Sequence, residues 1–516
     1  MTAEITAADR GAAGSGAVGL ARGSAVALVI FIASAALAYC TQLAIARIVG
    51  AVGYGRYAYV VAWMTVLAYS SALGFEVSLL RFIPAYRAQQ RLALMRGVIR
   101  YAQRTAVLAG VVIALLGASF VTIGSARLAP ELRRTFIVGF ALVPIWALAW
   151  IRCSIARAFG GVISALAPER IVRDALLLCL LVFAGPVLGW RVGAPETMGA
   201  TLICVIVALC LVSIAVRRLQ PPALARIAPV NATSTWLMAA GPLVLIGTVE
   251  PLMNRLGVIL LGWVGDLKGA GVYSVVFNIA FLALLPRTAV NVVFAPKAAE
   301  LFAHDDRIGL QALTARTSLW MMAGSAGIAL PLWVLAWPLL SWFGPGFVTG
   351  VDALRILLLG QVVIASSGSQ LYLMTMTGHE RSAALLVSLS AAANVLLGLT
   401  LTGTLGLVGA ALATTVAFLG WNLAMGLFVW RRLGLAPGVF AGFCQGHRTP
   451  TTHMSSERRG RPTRGTLKVN AWFSQLASRS RPASSSSRYV ETSGGFDIPA
   501  CRSPSDARQS PRSGRR

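Results

Sequence analysis

Apolar residues run along this chain in long blocks. Short stretches rich in arginine, glycine and proline separate them. A helix rises 1.5 Å per residue, so about 20 apolar residues span the hydrocarbon core of a bilayer. Twelve blocks match or approach that length: 24–46, 57–80, 105–123, 135–151, 175–190, 196–216, 236–263, 272–295, 317–340, 354–374, 382–402 and 405–430. The pattern predicts an all-α polytopic membrane protein of about twelve transmembrane helices. No break between blocks is longer than about 25 residues, which leaves no room there for an extramembrane catalytic domain.

Composition strengthens this reading. Of the 516 residues 57% are hydrophobic and only 12% charged, against about 25% charged in soluble domains. Most soluble enzymes and disordered proteins are thereby excluded. The formal net charge is nevertheless +27. On a soluble chain that would suggest a nucleic-acid binder; here it reports orientation. With both termini in the cytoplasm, 21 basic side chains fall on the cytoplasmic side and 8 on the other. Cytoplasmic loops of membrane proteins carry the lysine and arginine excess, so both termini are expected inside the cell. No nucleic-acid partner is expected.

The organisation expected is a cytoplasmic segment 1–23, a six-helix lobe 24–216, a cytoplasmic connector 217–235, a second six-helix lobe 236–432 and a tail 433–516. A cleaved leader is a poor description of the start, because the first apolar run continues to Ala46 and further spans follow. The lobes look like repeats. Gly53-Tyr54-Gly55-Arg56-Tyr57 precedes the second block, and Gly269-Ala270-Gly271-Val272-Tyr273 precedes the eighth. Phe82-Ile83-Pro84 and Phe294-Ala295-Pro296 end the same two blocks. Repeats of six spans cross in the same sense, which implies a pseudo-two-fold axis along the membrane normal. Residues 441–516 hold 14 basic and 4 acidic side chains and no long apolar run. They read as a basic, disordered tail able to touch anionic lipid, or as out-of-frame translation.

Chemistry is expected where charge lies inside a span, since each such residue costs about 2.5–3.5 kcal/mol at a helix centre. The candidates are Glu76, Glu250, Arg255 and Arg287. Two buried guanidinium groups suit a diphosphate, because the planar fork donates paired hydrogen bonds to phosphate. Arg255 and Arg287 are therefore the expected substrate-binding pair. Glu250 lies five residues before Arg255, roughly 140° around the helix, and does not pair with it simply. Glu250 and Glu76 are candidates for coupling to H+ or Na+; for Glu76 an ion pair with Arg81 is the competing expectation. Asn254, Asn278 and Asn291 read as polar contacts between helices. Cys40, Cys153, Cys179, Cys204 and Cys210 read as small core residues. Pro144, Pro242, Pro251, Pro286, Pro331 and Pro338 are expected bending points. The four histidines fall in loops or the tail, and no metal, nucleophile or phosphate-loop motif occurs. No cofactor and no enzymatic activity are expected.

Ala46-Arg47-Ile48-Val49-Gly50, Tyr54-Gly55-Arg56-Tyr57 and Leu73-Gly74 with Arg81-Phe82 resemble the opening of bacterial polysaccharide exporters. Asn254-Arg255-Leu256, Leu260-Leu261-Gly262, Gly271-Val272-Tyr273, Pro286 and Pro296 follow in that family's order. The resemblance covers roughly residues 20–432. It is to the O-antigen and exopolysaccharide repeat-unit flippases of the multidrug/oligosaccharidyl-lipid/polysaccharide exporter superfamily. It implies two six-helix bundles around a cavity in the bacterial inner membrane. The implied cargo is a lipid-linked oligosaccharide, often on undecaprenyl diphosphate, moved by alternating access for lipopolysaccharide or exopolysaccharide synthesis. A cationic residue on the seventh helix recurs in the family, and Arg255 occupies that place. Many members carry an acid two residues later, where this chain has Gly257. The competing functions are a multidrug antiporter of the same superfamily, a peptidoglycan-precursor flippase, and a membrane-embedded glycan polymerase or ligase.

Overall fold

The computed structural model describes residues 2–124, 128–184, 189–303 and 306–439, with side chains in the first helix described from Ala33. The basic tail, Arg127, His304 and residues 185–188 of the fifth block lie outside the described residues. Among the described residues every regular element is a helix. The first half contains α1 (Thr2–Ala72), α2 (Phe75–Ala88), α3 (Leu92–Ile123), α4 (Pro130–Phe140), α5 (Leu142–Ala158), α6 (Val162–Ala167), α7 (Arg173–Val182) and α8 (Ala194–Leu219). A short α9 (Pro222–Arg226) leads to α10 (Thr233–Trp263), α11 (Leu267–Phe281), α12 (Leu285–Ala303), α13 (Arg307–Val334) and α14 (Ala336–Ser341). Then come α15 (Val351–Ser366), α16 (Gln370–Met376) and α17 (Glu380–Phe428).

Eight helical stretches among the described residues are long and apolar enough to cross a bilayer. Two of them, 33–88 and 380–433, each join two helices at a glycine, Gly50 (φ 78°) and Gly406 (φ 55°). The other expected blocks fall on α7, which is short and carries Arg173 and Asp174, and on α10, whose side chains are described only in part. The helices run longer than the apolar blocks. α3 begins at Leu92, so Arg96, Arg100 and Arg104 sit on a helix rather than in a loop. Arginine has high helix propensity, and its long stem lets the charge reach water from a terminal turn.

Only some of the prolines mark bends. A tight 3-10 turn, Leu282–Leu284, separates α11 from α12 just before Pro286. Pro331 lies one turn before the end of α13. Pro144 follows the break at Ala141 between α4 and α5. α10 runs unbroken through Pro242 and Pro251, against expectation.

A single apolar core joins residues of both halves, from Ile45, Tyr54 and Tyr57 to Val272, Tyr273 and Phe347. Its centre is a close approach of the two sequence motifs. A Cβ on Gly55 would lie 1.8 Å from the carbonyl oxygen of Leu267, and one on Gly271 would lie 2.8 Å from the Cα of Gly55. Only glycine permits this backbone contact. The halves also repeat a hydrogen bond at matching places. Tyr57 and Thr201 are joined at 3.0 Å, and Tyr273 donates to Thr414 at 2.8 Å. At one end α1 is tied to the chain around α14, with Tyr39 donating to the Leu339 carbonyl at 3.1 Å and Arg47 to that of Trp342 at 2.6 Å. At the other, Trp236 of α10 donates to Tyr86 of α2 at 3.0 Å, inside a second core built mainly from α2, α3 and α5.

Burial of the cysteines departs from expectation. Cys153 and Cys204 are buried, but Cys40, Cys179 and Cys210 are exposed on the outside of the bundle. Lipid is as apolar as a protein core, so an apolar neighbourhood in sequence does not distinguish the two.

Gly55→Val should separate the two halves at their closest approach. Overpacking of this kind costs about 1–3 kcal/mol where neighbours can shift, and here the neighbour is backbone. The detergent-purified variant should melt well below the wild type. Gly199→Val, at a site with nothing within 4 Å, should melt with it.

Candidate substrate cavity

Just beyond the Gly55–Gly271 contact the helices part around a cavity of about 350 Å³. That is at the small end of the range for ligand sites. Its walls come from α1, α5, α7 and α8 of the first half and from α10 and α11 of the second. Arg255 lines it, as expected, beside Asn254 and Pro251. The side chain stands among Tyr54, Tyr57, Tyr69 and Arg173. No carboxylate among the described residues lies within ion-pairing distance of it.

The second cation in this cavity is Arg173, not Arg287. Residues 168–174 read in sequence as a charged cytoplasmic loop. In the structure they continue a helical passage from α6 into α7 through a π-helical turn, Pro168–Val172. Such single turns are rare and concentrate at functional sites, because the extra residue re-aims the side chains that follow. Here Glu169, Arg173 and Asp174 are brought to the cavity wall. The Arg173 Nε donates to the Asp174 carboxylate at 2.8 Å, and the Asp174 carbonyl accepts from the Thr41 hydroxyl at 3.1 Å. Glu169 accepts the Trp150 indole N–H at 2.9 Å. The available signal was the i, i+4 spacing of Glu169 and Arg173, which places opposite charges on one helix face.

Arg287 sits on α12 away from the cavity lining, within electrostatic range of Glu250 and Tyr372. Glu250, just before Pro251 on α10, faces Arg287. The two lie in each other's field, and Arg287 is not among the residues that line the cavity with Arg255. Glu76 does not pair with Arg81, which reaches Glu380 of α17 at 3.5 Å. It is 8% exposed, and neither carboxylate oxygen has a hydrogen-bond partner. It packs on Gly247 of α10, where a Cβ would come within 2.6 Å of its Oε1. It follows the left-handed pair Leu73 (φ 51°) and Gly74 (φ 69°), where α1 gives way to α2.

The asparagines behave mostly as expected. Asn278 donates to Gln42 at 3.1 Å across the halves, and Asn291 accepts from Ser369. Gly257 has a steric reason: a Cβ there would stand 2.4 Å from the ring of Tyr273. Among the described residues no group of histidine, cysteine and acidic side chains is placed to hold a metal.

Comparison with known proteins places this architecture. A multidrug resistance MATE family transporter of the MOP superfamily, solved facing inward, is similar with a TM-score of 0.64 and 15% identity, over 81% of this chain and 96% of that one. An outward-facing structure of such a transporter gives a TM-score of 0.53 at 13% identity, over 80% and 95%. A MOP superfamily transporter from Pyrococcus furiosus, described as having a binding pocket of reverse polarity, gives 0.59 at 14% identity, over 80% and 95%. At these identities the likeness establishes the fold, that of an all-helical membrane transporter. No curated protein is significantly similar in sequence. The family profile described as polysaccharide biosynthesis protein matches residues 20–296, more than half of the chain. The protein belongs to the polysaccharide biosynthesis protein family of membrane transporters.

Proposed function

We propose that the protein carries a polyprenyl-diphosphate-linked oligosaccharide across the bacterial cytoplasmic membrane, for polysaccharide or O-antigen synthesis, by alternating access. The observation that carries this reading is Arg255: a cation inside the bundle, lining a cavity, with no acid against it. An unmatched charge in an apolar bundle is costly and marks a substrate path. A diphosphate supplies the missing negative charge. Arg173, held by Asp174 through its Nε at 2.8 Å, supplies a second guanidinium from the other half.

The same reading has twelve crossings in two six-helix lobes, 24–216 and 236–432, joined by 217–235, with both termini in the cytoplasm. The Gly55–Gly271 contact and the paired Tyr–Thr bonds support it. The lobes pivot about that contact, and the closer likeness to an inward-facing relative supports an inward-open state here. The polyprenyl chain stays in lipid while the glycan crosses in water. Multidrug export is the second reading, favoured by the solved relatives. A cationic drug needs free carboxylates, and here Asp174 and Glu169 are both engaged. Glu76 and Glu250 are the residues proposed to couple transport to H+ or Na+.

In a deletion strain complemented with variants, Arg255→Ala and Arg255→Lys should each lower delivery of lipid-linked glycan to the outer leaflet by about tenfold or more, the loss expected for one charge-assisted contact. Membrane levels of protein should be unchanged. Wild-type delivery by both variants would rule out this site, and efflux of a cationic dye would favour the drug reading. Glu76→Gln removes a charge that has no partner, so the protein should fold normally. Transport into vesicles should then lose its response to an imposed proton gradient, whereas Glu300→Gln, at an exposed surface pair, should keep it.

A further inference from the structure

One wall of the cavity is a ladder of aromatic rings that neither arginine explains. Tyr69 of α1 stacks on Trp150 of α5, with centroids 4.0 Å apart and planes 26° from parallel. Trp150 in turn lies 11° from parallel with Trp146, one helical turn away, at 5.9 Å. All three line the cavity. The Trp150 ring is held in place by its hydrogen bond to Glu169 on the π-helical turn. From the second half, α10 and α11 add Asn254 and Asn278 to the lining, together with Pro251, Phe277 and Phe281.

We propose that this ladder is the glycan subsite of the cavity: it takes pyranose rings through a face of axial C–H bonds, while the asparagines meet the hydroxyl edge. The inference rests on the diphosphate reading and adds to it what the sugar touches. A pyranose ring has an apolar C–H face and a polar rim, which suits a cavity lined by both stacked aromatic rings and side-chain amides. The negative face of an aromatic ring attracts the slightly positive C–H groups. Trp146 is only 6% exposed and backs Trp150, so the platform offered to a sugar is the Tyr69–Trp150 pair, and a flat ring reads no particular hydroxyl. Tyr69 is also within electrostatic range of Arg255. A diphosphate held at Arg255 would therefore set its first sugar beside the ladder.

The test compares two probes on the full chain in nanodiscs: farnesyl diphosphate, and farnesyl diphosphate carrying cellobiose. Wild type should bind the glycosylated probe about tenfold more tightly, a gain that one or two aromatic stacks can supply. Because losing the indole would free the Glu169 carboxylate, Trp150→Ala is made together with Glu169→Gln. It should erase that gain and leave the affinity for farnesyl diphosphate within about twofold of Glu169→Gln alone, which also verifies the fold. Trp150→Phe in the same background should keep most of the gain. Equal losses on both probes, no loss on either, or a wild type blind to the sugar would overturn the subsite alone. A wild type that binds neither probe would overturn the diphosphate reading and the subsite together.

Discussion

The structure depends on one backbone contact. In a bilayer, apolar side chains gain nothing by leaving lipid for each other, so helices associate through close van der Waals packing and hydrogen bonds. Gly55 and Gly271 allow α1 and α11 to approach until peptide groups touch. Around that point the halves are joined by Asn278 and Gln42, with Tyr54 donating to the same Gln42 oxygen at 3.2 Å. Tyr54, Ser274 and Asn278 then form the near wall of the cavity. The crossing thus fixes where the cavity begins and which residues of the two halves meet there.

Charge inside the bundle is sorted rather than scattered. Arg173 has Asp174 and Glu169 has the indole of Trp150, while Arg287 and Glu250 lie in each other's field. Each pairing offsets part of the cost of removing charge from water. Arg255 is left among tyrosines and a second arginine. The lining holds two arginines and two acids, and Arg255 is the one of these cations with no acid within ion-pairing distance. On the first-half side, the π-helical turn carries Glu169 and leads into Arg173 and Asp174 at the start of α7, and all three reach the cavity wall.

The fold class, the matched glycine motifs and the cavity position of Arg255 were legible in the sequence, because block length, glycine spacing and an arginine deep in an apolar run each have few explanations. The partner of Arg255 was not. Pro168-Glu169-Arg170 looks like a loop, since proline and charge usually end a span. Only the folded bundle reveals that Trp150 holds Glu169 and that Asp174 holds Arg173 at the cavity wall. Arg287 lies outside the lining, which one sequence does not reveal, because it cannot tell which face of a helix meets the cavity and which meets a neighbour. Exposed Cys40, Cys179 and Cys210 show the same ambiguity between core and lipid.

Gly257 and Tyr273 occupy one space between them. An acid at 257, as in many relatives the sequence resembles, would collide with the ring whose hydroxyl bonds Thr414. The two positions are therefore coupled in this chain. A side chain can enter at 257 only if the Tyr273 ring turns aside, and that swing would break its bond to Thr414 and carry the disturbance to α17. As long as the bond holds, the bare backbone of Gly257 is part of what keeps α10, α11 and α17 locked together.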